Sequence, residues 1–301
     1  MRKKERKLER ISEMNEKNSV VLHICIISII FALSGCYQPV VYPELVTSSS
    51  MPSGATPSAS LPPPVLKRST SPPLRIPESS TLLVPGQYRI VGTSVQRLPI
   101  LSFVLGQGPD VTFILATIHG NEPAGTPLVR KLVKYLQQNP HLMEGRRLVL
   151  LAVANPDGMA HRSRFNANGV DLNRNFPSAN RVNERRSGAT PLSEPEARVI
   201  KQLIDQYSPD RIISLHQPLA CIDYDGPGTT LAVRMSQYCN LPVKKLGARP
   251  GSLGSYAGVE LGIPIITFEM RQNDSGINSN TLWQRYGKAL VAAVVYPERV
   301  Q

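Results

Sequence analysis

His119 and Glu122 stand three residues apart, directly after an apolar, β-branched run from Val111 to Ile118. His216 closes a second such run, Arg211 to Leu215, and Glu269 a third, Ile263 to Phe268. An imidazole and a carboxylate at i and i+3 can both face one point, and a third donor from another strand end completes a ligand set. His216 is the natural candidate. Two imidazoles and one carboxylate with an open fourth position describe a catalytic zinc site, one ion per chain. Redox metals with a similar facial triad share those donors, although nothing in the sequence points to oxygen chemistry. Glu269 is then left as a carboxylate able to move a proton. A solitary His-x-x-Glu pair carries little weight, because a histidine beside an apolar run is usually a core residue. The weight comes from four such residues at the ends of separate runs.

Those runs have the length and composition of buried strands. A fourth, Arg147 to Ala154, stops at Asn155-Pro156-Asp157-Gly158. Between the runs lie helical patterns: Thr126 to Gln137, Ser193 to Tyr207, and Trp283 to Val295. Ser193 with Glu196 three residues on has the form of a capping box. Strands alternating with helices predict an α/β fold, a mostly parallel mixed sheet with helices on both faces. In such sheets ligands bind beyond the carboxyl ends of the strands, so His119, Glu122, His216 and Glu269 are expected in one crevice.

Read in order, His119-Gly-Asn-Glu122, Asn155-Pro-Asp-Gly158, Asn168-Gly-Val-Asp-Leu-Asn-Arg-Asn-Phe-Pro177, His216 and Thr267-Phe-Glu269 resemble the motifs of the M14 zinc carboxypeptidases. The resemblance covers most of residues 88–296 and implies a zinc-carboxypeptidase-like single catalytic domain. It implies that His119, Glu122 and His216 hold Zn²⁺ and that Glu269 is the general base and acid. Arg164 matches the arginine beside the developing oxyanion, with Arg162 the second choice. Asn173 and Arg174 match the pair that grips the substrate's terminal carboxylate, and Asp171 the carboxylate that orients the first histidine. His216-Gln-Pro-Leu-Ala-Cys-Ile222 and Gly251-Ser-Leu-Gly-Ser255 are similar to members that cut the γ-D-glutamyl–meso-diaminopimelate bond of peptidoglycan peptides. Asp223, Asp225, Arg249 and Arg271 are polar residues near these motifs, and the sequence does not say which of them would meet substrate. Three alternatives remain open: an N-acyl amino acid deacylase of the succinylglutamate desuccinylase or aspartoacylase kind, a general protein carboxypeptidase, and a non-catalytic wall-binding lipoprotein.

The chain has 301 residues with 41% apolar and 19% charged, enough hydrophobe for a core. Its net charge is +12, and from Gly86 onward 24 Lys/Arg face 16 Asp/Glu. No basic run with interleaved aromatics appears there, which argues against nucleic acid and for an acidic small substrate. Residues 1–18 are basic, and Val20 to Gly35 is apolar, short for a membrane span and suited to a signal-peptide core. Leu33-Ser34-Gly35-Cys36 resembles the lipobox of bacterial lipoproteins, so Cys36 is the expected lipidation site. Eleven prolines fall between Tyr37 and Pro85, the composition of an extended tether. The expected organisation is therefore 1–35 signal peptide, 36–85 tether and 86–301 catalytic domain, in the periplasm and lipid-anchored to the outer membrane. Cys221 and Cys239 could be bridged or free, and the oligomeric state is left open.

Overall fold

The computed structural model describes Gly86 and residues 88–298. The expected signal peptide, Cys36 and the tether lie outside those residues. No helix among the described residues is long and apolar enough to cross a membrane.

Seven strands form one sheet: β1 (Tyr88–Thr93), β2 (Pro99–Gly106), β3 (Asp110–Ala116), β4 (Arg146–Leu151), β5 (Arg211–His216), β6 (Leu219–Asp225) and β7 (Ile265–Arg271). Their spatial order is β1-β2-β4-β3-β5-β7-β6. The four central strands, β4, β3, β5 and β7, run parallel, while β1, β2 and β6 join antiparallel. The parallel strands read as continuous apolar runs because both faces are covered. The sheet is mixed, with its parallel part at the centre where the site lies.

The helices are α1 (Gly125–Gln138), α2 (Pro156–Ala160), α3 (Pro195–Tyr207), α4 (Thr229–Ser236) and α5 (Ser279–Val294). In α1 the buried positions Leu128, Val129, Leu132, Val133 and Leu136 repeat at helical spacing and form one stripe. That stripe packs with Leu231, Met235, Leu282 and Leu290 of α4 and α5 against Ile114, Ile213 and Ile266. On the opposite face Val199, Ile200, Leu203 and Ile204 of α3 pack with Phe176 and Tyr256 against Phe113, Leu115 and Ile212. Two apolar layers thus clamp the central strands and fix where their carboxyl ends point.

Local boundaries differ from the sequence reading at several points, three of them with a clear local cause. Helix α3 begins at Pro195, with Glu194 at its cap and no side-chain cap bond; proline at the first helical position presets the start. Ser193 Oγ instead donates to Glu194 Oε1 at 2.8 Å, so the expected capping box does not form. Strand β3 ends at Ala116, two residues early, because Thr117 turns into the left-handed region at φ 53°. Strand β7 runs two residues past Glu269, held there by antiparallel pairing with β6.

Candidate active site

Thr117 is a β-branched residue in a conformation such residues rarely adopt, and its surroundings hold it there. Its hydroxyl shares a 2.8 Å hydrogen bond with Thr126 of α1, and its carbonyl accepts from Asn155 N at 3.0 Å. This turn delivers His119 and Glu122 to the end of β5. Gly120 sits in the same turn, and a Cβ there would lie 1.9 Å from the carbonyl carbon of Gly158. Asn155 completes the junction: its side chain accepts from Gly158 N at 2.8 Å and donates to Ile118 O at 3.2 Å. The His119–Glu122 and Asn155–Gly158 segments therefore meet backbone to backbone.

His119, Glu122 and His216 are all buried, and one ligand atom from each lies within 4.8 Å of the others. Asp171 Oδ1 is 3.0 Å from His119 Nε2, which assigns the ring proton to Nε2 and turns Nδ1 inward. That Nδ1 is 2.9 Å from Glu122 Oε1 but makes no hydrogen bond, a buried polar atom left without a partner. His216 is likewise anchored from behind, with Ser214 Oγ 2.9 Å from Nε2, but its Nδ1 shares a hydrogen bond with Glu122 Oε2 at 2.9 Å. Burial would lower the His119 pKa, but Asp171 and Glu122 outweigh it and raise it. Burial would likewise raise the Glu122 carboxyl, yet the two histidines hold it well below the usual range. Both shifts reflect ionised carboxylates packed against the imidazoles, a setting that attracts a cation to the meeting point. The orphaned nitrogen, the two outward-anchored imidazoles and the carboxylate fit a divalent cation of the zinc type.

Asp171 also accepts from Arg164 Nε at 3.0 Å, while Arg164 Nη1 reaches Glu122 Oε1 at 3.1 Å. Burial opposes ionisation of Asp171, but His119, Arg164 and Arg174 keep its pKa low. Arg164 lines the cavity and Arg162 does not, which separates the two sequence candidates. Asn173 and Arg174 also line it, with Asn173 Oδ1 pinned by Leu253 N at 2.9 Å. Glu269 is 8% exposed and accepts from Leu219 N at 3.3 Å through Oε2. Burial, the largest influence on it, raises its pKa. Asp223, Asp225 and Arg249 line the same cavity, of about 340 Å³, whereas Arg271 lies outside it. Cys221 and Cys239 are free thiols.

Two residues escaped the sequence reading. Ser214 anchors His216, and the signal was available, since residues i and i+2 of a strand share a face. Gln217 donates from its backbone to Glu122 Oε2 at 3.2 Å and from its side chain to Arg271 O at 2.9 Å. No residue type or spacing advertises that role.

The family model for zinc carboxypeptidases matches residues 86–225. Murein peptide amidase A of Escherichia coli K12 is 37% identical over 197 residues, 59% of this chain and 78% of that protein. The chain belongs to the zinc carboxypeptidase family. The same-named protein of Vibrio campbellii is 31% identical over 215 residues, 65% of this chain and 83% of the relative. The crystal structure of murein-tripeptide amidase MpaA from Escherichia coli O157 superposes with a TM-score of 0.55 at 28% identity, covering 73% of this chain and 96% of the other. As a zinc carboxypeptidase family member the protein is a metallohydrolase of the peptidase and amidase type, and its α/β sheet is that of the family.

Proposed function

We propose that the protein hydrolyses the γ-D-glutamyl–meso-diaminopimelate amide of peptidoglycan peptides. The observation that carries this reading is one cavity holding His119, Glu122, His216, Glu269 and the carboxylate-binding pair Asn173 and Arg174. Similarity to two murein peptide amidases supports the substrate class.

A zinc ion held by His119, Glu122 and His216 would supply the Lewis acidity that makes water nucleophilic near neutral pH. Arg174 and Asn173 hold the carboxylate of the leaving amino acid, a task suited to a guanidinium that can bond two oxygens. Arg164 sits where negative charge develops on the carbonyl oxygen. Glu269 has one carboxylate oxygen tied to Leu219 N, and its other oxygen is free to accept a proton from the attacking water. It then passes that proton to the departing nitrogen, leaving a glutamyl carboxylate and a free amine. Burial suits Glu269 to both halves of this exchange, because it keeps the protonated form within reach. Asp171 and Ser214 hold the two imidazoles from behind.

The same proposal places the enzyme at a membrane surface in the periplasm. Support comes from the basic start, the apolar Val20–Gly35 segment and the Leu33–Cys36 tetrapeptide, followed by the proline-rich stretch to Pro85. Lipid on Cys36 with 36–85 as tether would hold the catalytic domain, 86–301, near cell-wall peptides.

The deciding experiment incubates zinc-loaded protein with L-Ala-γ-D-Glu-meso-diaminopimelate, with an N-succinyl amino acid and with a hippuryl peptide in parallel. Mass spectrometry should show diaminopimelate released from the first substrate, and a chelator should stop it. Faster cleavage of either comparison substrate would reassign the reaction, and no release from any of them would leave wall binding without catalysis.

A further inference from the structure

Strand β6 alternates. Ile222 and Tyr224 face the apolar layer of α1, α4 and α5, while Asp223 and Asp225 face the catalytic cavity. The two acids are 6% and 4% exposed. Pairing with β7 sets Asp223 beside Thr267 and Asp225 beside Ile265, with Cys221 level with Glu269. At roughly 3.4 Å per residue, Asp223 lies about 7 Å and Asp225 about 14 Å along the strand from the level of Glu269. Both acids therefore sit deeper than the reacting centre, on the floor of the same cavity.

Their charge is poorly compensated. Lys245 Nζ approaches Asp225 Oδ1 at 3.4 Å from the exposed surface. Asp223 has no cation within ion-pair distance among the described residues and accepts from Leu246 N at 2.8 Å. Burial, and after it the charge of Asp225, pushes the Asp223 carboxyl up. A buried carboxylate without a counter-charge is costly, and here it opens onto a ligand cavity. Gly254 preserves the arrangement, since a Cβ there would lie 2.2 Å from Asp225 Oδ2. Of the arginines lining the cavity, Arg174 and Arg249 have no ion-pair partner among the described residues. A ligand spanning these groups has a carboxylate towards the arginines and a cation on its side chain.

We propose that Asp223, with Asp225 beside it, selects a leaving amino acid whose side chain ends in an ammonium group. This rests on the hydrolase reading above and names its specificity determinant. An incoming ammonium replaces the missing counter-charge, and a side chain lacking it leaves the acids buried and unpaired.

The test compares meso-diaminopimelate with 2-aminopimelate, which keeps the distal carboxylate and lacks the amine. One readout is kcat/KM for the two γ-D-glutamyl peptides; the other is calorimetric binding of the two free amino acids to metal-free protein. Wild type should prefer the amine-bearing partner on the order of 10²-fold in both. Asp223→Asn should cut that preference below about 5-fold, since asparagine can still accept from Leu246 N. Asp225→Asn serves as the second variant should the first fail to fold. Equal handling of the two compounds by wild type, or full preference retained in both variants, overturns the inference. If neither peptide is cut but the binding preference holds, the hydrolase reading fails and the recognition site stands.

Discussion

His216 and Glu269 sit directly opposite each other in the parallel register of β5 and β7. The imidazole proposed to hold the metal and the carboxylate proposed to move the proton are thus set at a fixed separation by backbone pairing between two buried strands. Neither depends on a mobile loop for its place.

Glu269→Gln keeps the shape and removes the base. Turnover of the tripeptide should fall about 10²–10⁴-fold, while one zinc per chain is retained by elemental analysis. Loss of zinc along with turnover would move Glu269 into the ligand set.

Ser214→Ala removes the hydroxyl behind His216 Nε2. Outer partners of ligating histidines typically carry about 10–100-fold in metal affinity, and competition with a chromophoric chelator should show a loss of that size. Asp171→Asn should show a similar loss through His119 and should also weaken the hold on Arg164, leaving its bond to Glu122.

Tyr286 gives the clearest pH dependence of stability. Its hydroxyl donates to Asp274 Oδ2 at 2.6 Å, and burial first, then that hydrogen bond, raises the phenol pKa above its ordinary value of 10.0. A group whose folded pKa is raised contributes stability that is complete below the unfolded pKa and is lost as pH rises through the folded one. Thermal melts should therefore drop above about pH 10. Tyr286→Phe should cost about 2 kcal/mol at neutral pH and flatten that alkaline decline. An unchanged alkaline slope would show that other groups set it.

Gly120→Ala should destabilise the fold by at least about 3 kcal/mol, because the methyl group meets Gly158 backbone that has nowhere to move. Denaturant melts of soluble protein would measure it, and a near-neutral result would mean that the junction is looser than the geometry indicates.

The sequence revealed the centre of the sheet and hid its edges. Strands β3, β4, β5 and β7 announce themselves because burial on both faces demands unbroken apolar runs. Strand β1 is half exposed, with Ile90 at 68%, and gives no such run. Strand β6 was hidden by Asp223 and Asp225, the residues that give it a role. His119, Glu122 and His216 could be read from spacing because ligand chemistry restricts residue type. Gln217 could not, because its contact with Glu122 is made by the backbone, which every residue carries.

The junction of Gly120 with Gly158 also bears on how this enzyme can vary. Two lengths of main chain pressed together without side chains between them form a hinge-free block, so the segment carrying His119 and Glu122 cannot drift independently of the one ending at Gly158. Libraries that diversify either glycine will return few survivors. Variety in this lineage is better sought at the cavity floor, where side chains can be exchanged without disturbing the block.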